Sequence, residues 1–266
     1  MSNRTGIENL HDQNIDDLIN VCSSGKFSDP VHQQGVKLKK LWLKEMLDNY
    51  GSCAKIAYYN GKPAAQILFY PENADKAKMF KREGVIVINC IYNPTLEAQK
   101  LGFGRRLLQS VIQDAKEKKS CLGCKPCKFI LANAFNTGEF LPMPDFYKKN
   151  GFIPADGEGM YLPIEGGYEP VPEAHYEPLE EDKGKAIIFY GSKCQFSYPF
   201  AKRIEAMVRD TAPSLQIEVT NEWEKPEESI KRRNWWLVVN AKPIHTFFMD
   251  AENFKKEIMQ AIDQTR

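Results

Sequence analysis

From residue 12 to residue 50, apolar side chains return every three or four positions. Ile15, Leu18, Ile19 and Cys22 make one stripe. Val36, Leu38, Leu41, Trp42, Leu43, Met46 and Leu47 make a second, which ends at Tyr50-Gly51. This spacing predicts helix over 12–50, with Asp12 as its cap. The period then shortens. Residues 55–59 and 64–70 read as strands, joined over Asn60-Gly61, a hairpin turn because both residues tolerate positive φ. The run Val85-Ile-Val-Ile-Asn-Cys-Ile-Tyr92 is nearly all apolar, as expected of a strand at a sheet centre. Residues 101–119 read as a loop entering a helix, with Leu107, Leu108, Val111, Ile112 and Ala115 on one face. A strand over 128–132 and a short helix over 145–150, ended by Gly151, follow. Phe152-Ile153 and 160–164 are closing strands.

The pattern changes at Glu165. Seven acidic residues and three prolines fall in the eighteen positions to Asp182, which predicts an extended linker. Beyond it come a strand (186–190), a helix (197–211), a strand (215–219), a short helix (226–232), a hairpin of 235–239 with 244–248, and a helix (254–262). The order β-α-β-α-β-β-α is the thioredoxin-like order. The expected organisation is a first domain over 1–167, an acidic, proline-containing linker over 168–184 and a smaller thioredoxin-like α/β domain over 185–266.

Composition narrows this little. With 36 Lys and Arg against 35 Asp and Glu, the formal charge is +1, so no overall field favours nucleic acid or a membrane surface. The beginning carries no apolar leader, and the apolar runs fall far short of the roughly 20 residues a bilayer span needs. A soluble, cytoplasmic protein is expected, and its seven cysteines are expected as free thiols.

The richest chemistry lies after the central strand. The first N–H groups of a helix lack internal partners and point at whatever precedes it, and glycines let that backbone come close to a ligand. Gln99-Lys100-Leu101-Gly102-Phe103-Gly104 has this form, with Arg105 and Arg106 just inside the helix. A Walker loop would end in Gly-Lys-Ser/Thr, and a dinucleotide fingerprint would have glycine where Leu107 stands. An anion-binding loop of another kind, or a plain surface turn, both remain.

The segment Gln99 to Gly104 with Arg-Arg-Leu-Leu after it looks like the Gln/Arg-x-x-Gly-x-Gly/Ala motif of GNAT acetyltransferases. The strand ending Cys90-Ile91-Tyr92-Asn93-Pro94 resembles that family's fourth strand, and Phe146-Tyr147-Lys148-Lys149-Asn150-Gly151-Phe152 resembles its Tyr-x-x-x-Gly-Phe ending. The resemblance covers roughly residues 5–165. It implies an α/β (α+β) fold with a mixed central sheet flanked by helices, and acetyl-CoA as the cofactor. It also implies backbone contacts from Ile91 and Tyr92 to the pantetheine arm, and a pyrophosphate cradle made of Gln99, Lys100, Gly102, Phe103, Gly104 and Arg105. Asn136 matches a cofactor-contacting asparagine, across an insertion at 137–144. Tyr147 matches the tyrosine that protonates the departing thiolate. The plainer alternative is a core aromatic on an amphipathic helix. The stretch 94–102 is about two residues longer than the family's. No general base stands out, and Glu83 is at most a candidate.

Cys121, Cys124 and Cys127 fall within seven residues, at a spacing that suits zinc, a cluster, a regulatory disulfide or simply a reduced loop. A fourth ligand is not evident, unless Cys90 or a histidine reaches it. Cys194, in Cys194-Gln-Phe-Ser197, precedes a helix where thioredoxin-like proteins keep a reactive thiol, which a helix N-terminus would activate. Asn234-Trp235 stand where such proteins keep a cis-proline. Tyr190-Gly-Ser-Lys-Cys194 with Ser197-Tyr-Pro-Phe200 resembles the YoaP-like domain that follows some bacterial GNAT domains. His11, His32, His175 and His245 form no motif.

Three readings remain in view, one of them a CoA-binding scaffold without catalysis; the other two are functions of chemistry. One is N-acetyl transfer from acetyl-CoA to a primary amine of a small molecule or peptide, by direct attack. The other is thiol-redox or metal handling through Cys194 or the 121–127 cysteines, with the first domain as a CoA-binding module.

Overall fold

In a computed structural model, residues 6–23, 25–134, 142–155, 157 and 159–263 are described. The chain divides into two compact units: Met1–Lys26, Lys40–Asp75 and Lys81–Val171 form the first, and Phe27–Lys39, Lys76–Phe80 and Pro172–Arg266 the second. No described helix is long and apolar enough to cross a membrane.

The apolar series over 12–50 is two helices rather than one, α1 (Ile15–Ser23) and α2 (Pro30–Tyr50), preceded by a short strand β1 (Gly6–Asn9) that the pattern did not announce. Pro30 lacks an N–H and fits only a first helical turn, so it starts α2 instead of continuing α1. Just ahead of it the Asp29 carboxylate accepts the Val31 N–H at 2.9 Å. Asp12 does not cap α1. It opens a single 3-10 turn, and the Asn14 side-chain oxygen accepts the His11 N–H at 2.8 Å.

The first unit is built on a seven-stranded sheet. Besides β1 it holds β2 (Ala54–Tyr59), β3 (Lys62–Pro71), β4 (Val85–Tyr92), β5 (Phe129–Asn133), β6 (Ile153–Pro154) and β7 (Gly159–Pro163), in the order β1-β2-β3-β4-β5-β7-β6. Among these strands only the β4–β5 pair is parallel, which makes the sheet mixed. The β2–β3 hairpin turns over Asn60 at φ 50° and Gly61 at φ 77°, as its sequence required. Helix α1 packs on β3, and α3 (Phe103–Lys116) packs on β2, β3 and β4. The α3 stripe Leu107, Leu108, Val111, Ile112 and Ala115 is buried against that sheet. Lys55, only 3% exposed, ties β2 to this helix: its ammonium meets Asp114 at 2.6 Å and donates to Asn9 at 2.6 Å. The short helix α4 is Met143–Lys149.

The start of the acidic stretch belongs to this unit. Arg82 pairs with the fully buried Glu72 at 2.7 Å, donates to the Glu169 carbonyl and lies over the rings of Phe129 and Tyr168. Tyr168 stacks on Tyr161 at 4.8 Å. Residues 168–171 are therefore packed chain, not free linker.

The second unit holds β8 (Lys185–Tyr190), α5 (Ser197–Thr211), β9 (Gln216–Asn221), α6 (Pro226–Lys231), β10 (Leu237–Val239), β11 (Lys242–Pro243) and α7 (Ala251–Asp263). Its sheet runs β11-β10-β8-β9, with β8 parallel to β9 and the other pairs antiparallel. Its core joins Ile188, Ile204, Val208, Leu237, Val239, Phe248, Phe254 and Ile258. The hairpin turns over Asn240 and Ala241, both at positive φ, and its second strand is Lys242–Pro243, within the expected turn, while the strand expected over 244–248 does not form. Ile244 still donates to the Leu237 carbonyl before the chain leaves the sheet. At the other end of the acidic stretch Asp182 is fully buried and meets Arg232 at 2.6 Å. Residues 27–39 pack in this unit too. A Cβ on Gly35 would lie 2.1 Å from the Gln195 carbonyl oxygen, so only glycine allows that approach.

Candidate functional site

The site forms where the central strands part company. The parallel β4–β5 ladder ends at Ile88↔Ala132, while β4 runs on through Asn89, Cys90, Ile91 and Tyr92. On its other edge β4 stays paired with β3, and the register slips between Leu68↔Cys90 and Phe69↔Ile88, leaving Asn89 as a bulge residue. A bulge bends and twists its strand. The outrunning end of β4 thus presents a strand edge to the region that β5 has left.

The glycine loop comes to this same place. Lys100 has φ 62° and Gly102 φ 75°, so two left-handed residues turn the chain into α3. Asn93 and Gln99 stitch the loop's base: the Asn93 amide donates to the Ala98 carbonyl at 3.0 Å, and the Gln99 amide to the Asn93 carbonyl at 3.4 Å. Gln99, Lys100, Gly102 and Arg105 are exposed. Phe103 is core, edge-on to Tyr59 at 6.1 Å, and Arg106 lies over its ring at 4.2 Å. What remains of Phe103 for a ligand is its backbone. A Cβ on Gly104 would sit 3.7 Å from Phe146 and 3.9 Å from Ile91, which brings the start of α3, the end of β4 and α4 into one neighbourhood.

Tyr147 is 1% exposed, between the rings of Phe146 at 5.4 Å and Phe152 at 5.0 Å. Burial raises its phenol above the ordinary range, and the neighbouring Cys90 adds to the rise. The hydroxyl is held as a proton donor at any ordinary pH. Cys90 also accepts, at 3.6 Å, from the Gln66 amide, which donates to Cys22 of α1 at 3.0 Å. Gln66, on β3 opposite Tyr92, is 1% exposed. Sequence reasoning passed over it. The signal was a lone amide inside the apolar run 64–70.

Ile91, Tyr92, Gln99, Lys100, Gly102, Phe103, Gly104, Arg105 and Tyr147 thus fall around the end of β4. Asn136 lies outside the described residues. Glu83 does not join them: it precedes β4 at the far end, where Asn73 donates to it at 2.9 Å. The eight residues of β4 put about 23 Å between the two ends.

The cysteine-rich loop lies at that far end as well. Cys121 and Cys127 are buried and Cys124 is exposed, so the three thiols do not converge. The Cys121 thiol hydrogen-bonds Cys53 instead and lies near Cys127, and burial raises it well above the ordinary thiol value. Burial likewise pushes Cys127 up to about 12. Cys90 is with Gln66, not here. Among the described residues no three His, Cys, Asp or Glu side chains are placed to hold a metal ion. Cys194 is half-buried and precedes the α5 N-cap, Phe196, by two residues; its carbonyl accepts the Ser197 N–H at 3.0 Å.

No family model matches the chain, and no curated protein matches its sequence. Solved structures do resemble it. A GNAT family acetyltransferase from Brucella melitensis in complex with acetyl-CoA is similar over 65% of this chain and 94% of its own, at 12% identity and TM-score 0.41. A putative GNAT family acetyltransferase from Desulfovibrio desulfuricans is similar over 60% and 99%, at 17% identity and TM-score 0.44. The GNAT family N-acetyltransferase YhbS from Escherichia coli in complex with CoA is similar over 62% and 83%, at 12% identity and TM-score 0.42.

Proposed function

We propose that the first unit is an acetyl-CoA-dependent N-acetyltransferase of the GNAT type, acting on a primary amine of a small molecule or peptide. The observation that carries this reading is the meeting of Gly104, Ile91 and Phe146 at the end of β4, with Tyr147 buried beside Cys90. A strand edge can take an extended amide-bearing arm by β-augmentation, and a glycine-opened helix N-terminus can take a pyrophosphate. Few ligands carry both, joined by a few bonds; acetyl-CoA does, with a thioester at the end of the arm.

The roles follow from position. Lys100, Gly102, Phe103, Gly104 and Arg105 cradle the pyrophosphate through backbone N–H groups and charge, and Gln99 braces them. The backbone of Ile91 and Tyr92 aligns the arm. When the amine attacks the thioester carbonyl, the new C–N bond forms and the C–S bond breaks. Tyr147 gives its proton to the departing sulfur, and the amine's own proton leaves through water, since Glu83 is at the other end of the strand. Direct transfer is the reading, with no acyl-enzyme. The second unit we read as a thioredoxin-like, YoaP-like domain, on the strength of its element order and its β11-β10-β8-β9 sheet.

The test is release of CoA from acetyl-CoA with a panel of primary amines, with the acetylated product identified by mass. Tyr147→Phe should lower kcat by about tenfold to a hundredfold while CoA binding stays within a factor of two or so. Equal rates for the two proteins across pH would remove Tyr147 from the chemistry.

A further inference from the structure

Gln66 on β3 is 1% exposed and stands opposite Tyr92, on the part of β4 that runs on beyond its bulge. Its amide nitrogen has two hydrogens and two sulfurs to take them, Cys22 at 3.0 Å and Cys90 at 3.6 Å. Its oxygen is buried and has no hydrogen-bond partner among the described residues. Turning the amide over would exchange the two atoms and still leave one head unpartnered. An unsatisfied buried carboxamide costs stability and calls for an explanation. A residue that served only to fill this space would be leucine or methionine.

The orphan head is in the right place for a substrate. Gln66 pairs across the sheet with Tyr92, and Leu68 with Cys90. Side chains of directly paired residues share a face, so Gln66, Cys90 and Tyr92 stand on one side of the sheet and Ile91 on the other. The Ile91 side carries Gly104 of the anion loop, and the Gln66 side carries Cys22 of α1. Cys90 adds to the rise of the Tyr147 phenol, which puts these two residues in one neighbourhood.

The geometry points to Gln66 as the residue that receives the acceptor: with its nitrogen held by Cys22 and Cys90, its carboxamide oxygen takes an N–H of the amine that is to be acetylated. This rests on the acetyl-transfer reading of the same site. A hydrogen bond there fixes the nitrogen's remaining substituents, so that its lone pair faces the thioester. It also penalises a ligand of the same shape that brings no hydrogen-bond donor to this place, because the buried acceptor is then left unpaired.

Gln66→Met, of nearly the same shape, tests this. If Gln66 waits for a ligand, the variant melts at least as high as the parent chain, because an unsatisfied polar atom has gone. It binds CoA as before, and acetylates benzylamine, putrescine or a peptide with a free N-terminus at least about tenfold less efficiently. Gln66→Glu, which keeps an acceptor oxygen, recovers part of that loss. A Gln66→Met protein that melts more than about 3 °C lower and keeps its transfer rate would show that the amide is a structural strut, and would overturn the proposal. If none of the three amines turns over, the melting comparison decides alone, since strut and ligand site differ there in sign. A parent chain that fails to bind CoA removes the acetyl-transfer reading and leaves that comparison standing.

Discussion

At the scale of single residues, this protein separates its thiols by environment. Cys53, Cys121 and Cys127 are buried together, Cys124 is exposed and Cys90 lies beside Tyr147. Burial suppresses thiolate chemistry, and it also raises the Cys121 and Cys127 thiols. Alkylation of the native protein at neutral pH should therefore modify Cys124 first and leave Cys53, Cys121 and Cys127 untouched until unfolding, which peptide mass mapping reads directly. Rapid modification of Cys121 would contradict the packing. The Cys127 thiol also fixes a pH dependence. Its folded value, about 12, lies above the ordinary 9.0. The folded state thus holds a proton that the unfolded chain gives up, and its stabilising effect is complete below pH 9 and lost as pH rises towards 12. Denaturant midpoints for Cys127→Ser should fall less steeply than the parent's between pH 9 and 11. Parallel slopes would show that this thiol does not titrate as its burial requires.

At the scale of elements, much was legible because the period changed where the structure changes. The hairpin at Asn60-Gly61, the apolar run of β4, the amphipathic α3 and the β-α-β start of the second unit all followed from spacing and turn residues. Three things did not. The break before α2 was hidden by a helical period on both sides, though Pro30 marked it. The short β1, only Gly6–Asn9, has too few residues to show a period and gains its place by pairing with β2. The bulge at Asn89, where β4 slips its register against β3, is a feature that no hydrophobic pattern encodes. The glycine loop was visible in the sequence, whereas Gln66 and Cys22 come together only once α1 packs on β3. The loop makes an element-level prediction. Gly102 sits at φ 75°, a left-handed conformation that costs an ordinary L-residue about 1–2 kcal/mol. Gly102→Ala should lower unfolding free energy by about that amount and weaken CoA binding by loosening the turn.

At the scale of the whole molecule, the acidic stretch 165–182 is the instructive departure. Its charge and prolines read as an extended linker, yet both of its ends are structural. Tyr168 and Glu169 pack with Arg82 in the first unit. Asp182 is buried with Arg232 in the second, and Tyr176 donates to it at 2.8 Å. Burial pulls the Arg232 guanidinium down, but the bonds to Asp182 and Glu228 outweigh this and hold it above its usual value. Composition cannot show which carboxylates will find buried arginines fifty residues away. Removing one partner strands the other charge in the core. Arg232→Met should therefore cost about 3–5 kcal/mol of unfolding free energy, and adding Asp182→Leu should restore part of it. A double variant no more stable than the single one would show the pair to be uncoupled.

The central claim is that the turn into α3 holds the pyrophosphate of CoA, and calorimetric titration of acetyl-CoA into the parent chain and into Gly104→Asp tests it most directly. A carboxylate in the first turn of a helix favours the helix and repels an anion bound there. The account predicts saturable one-to-one binding to the parent, and a variant that melts no lower but binds at least about tenfold more weakly. Equal affinity for both proteins, or no saturable binding to the parent, would contradict it.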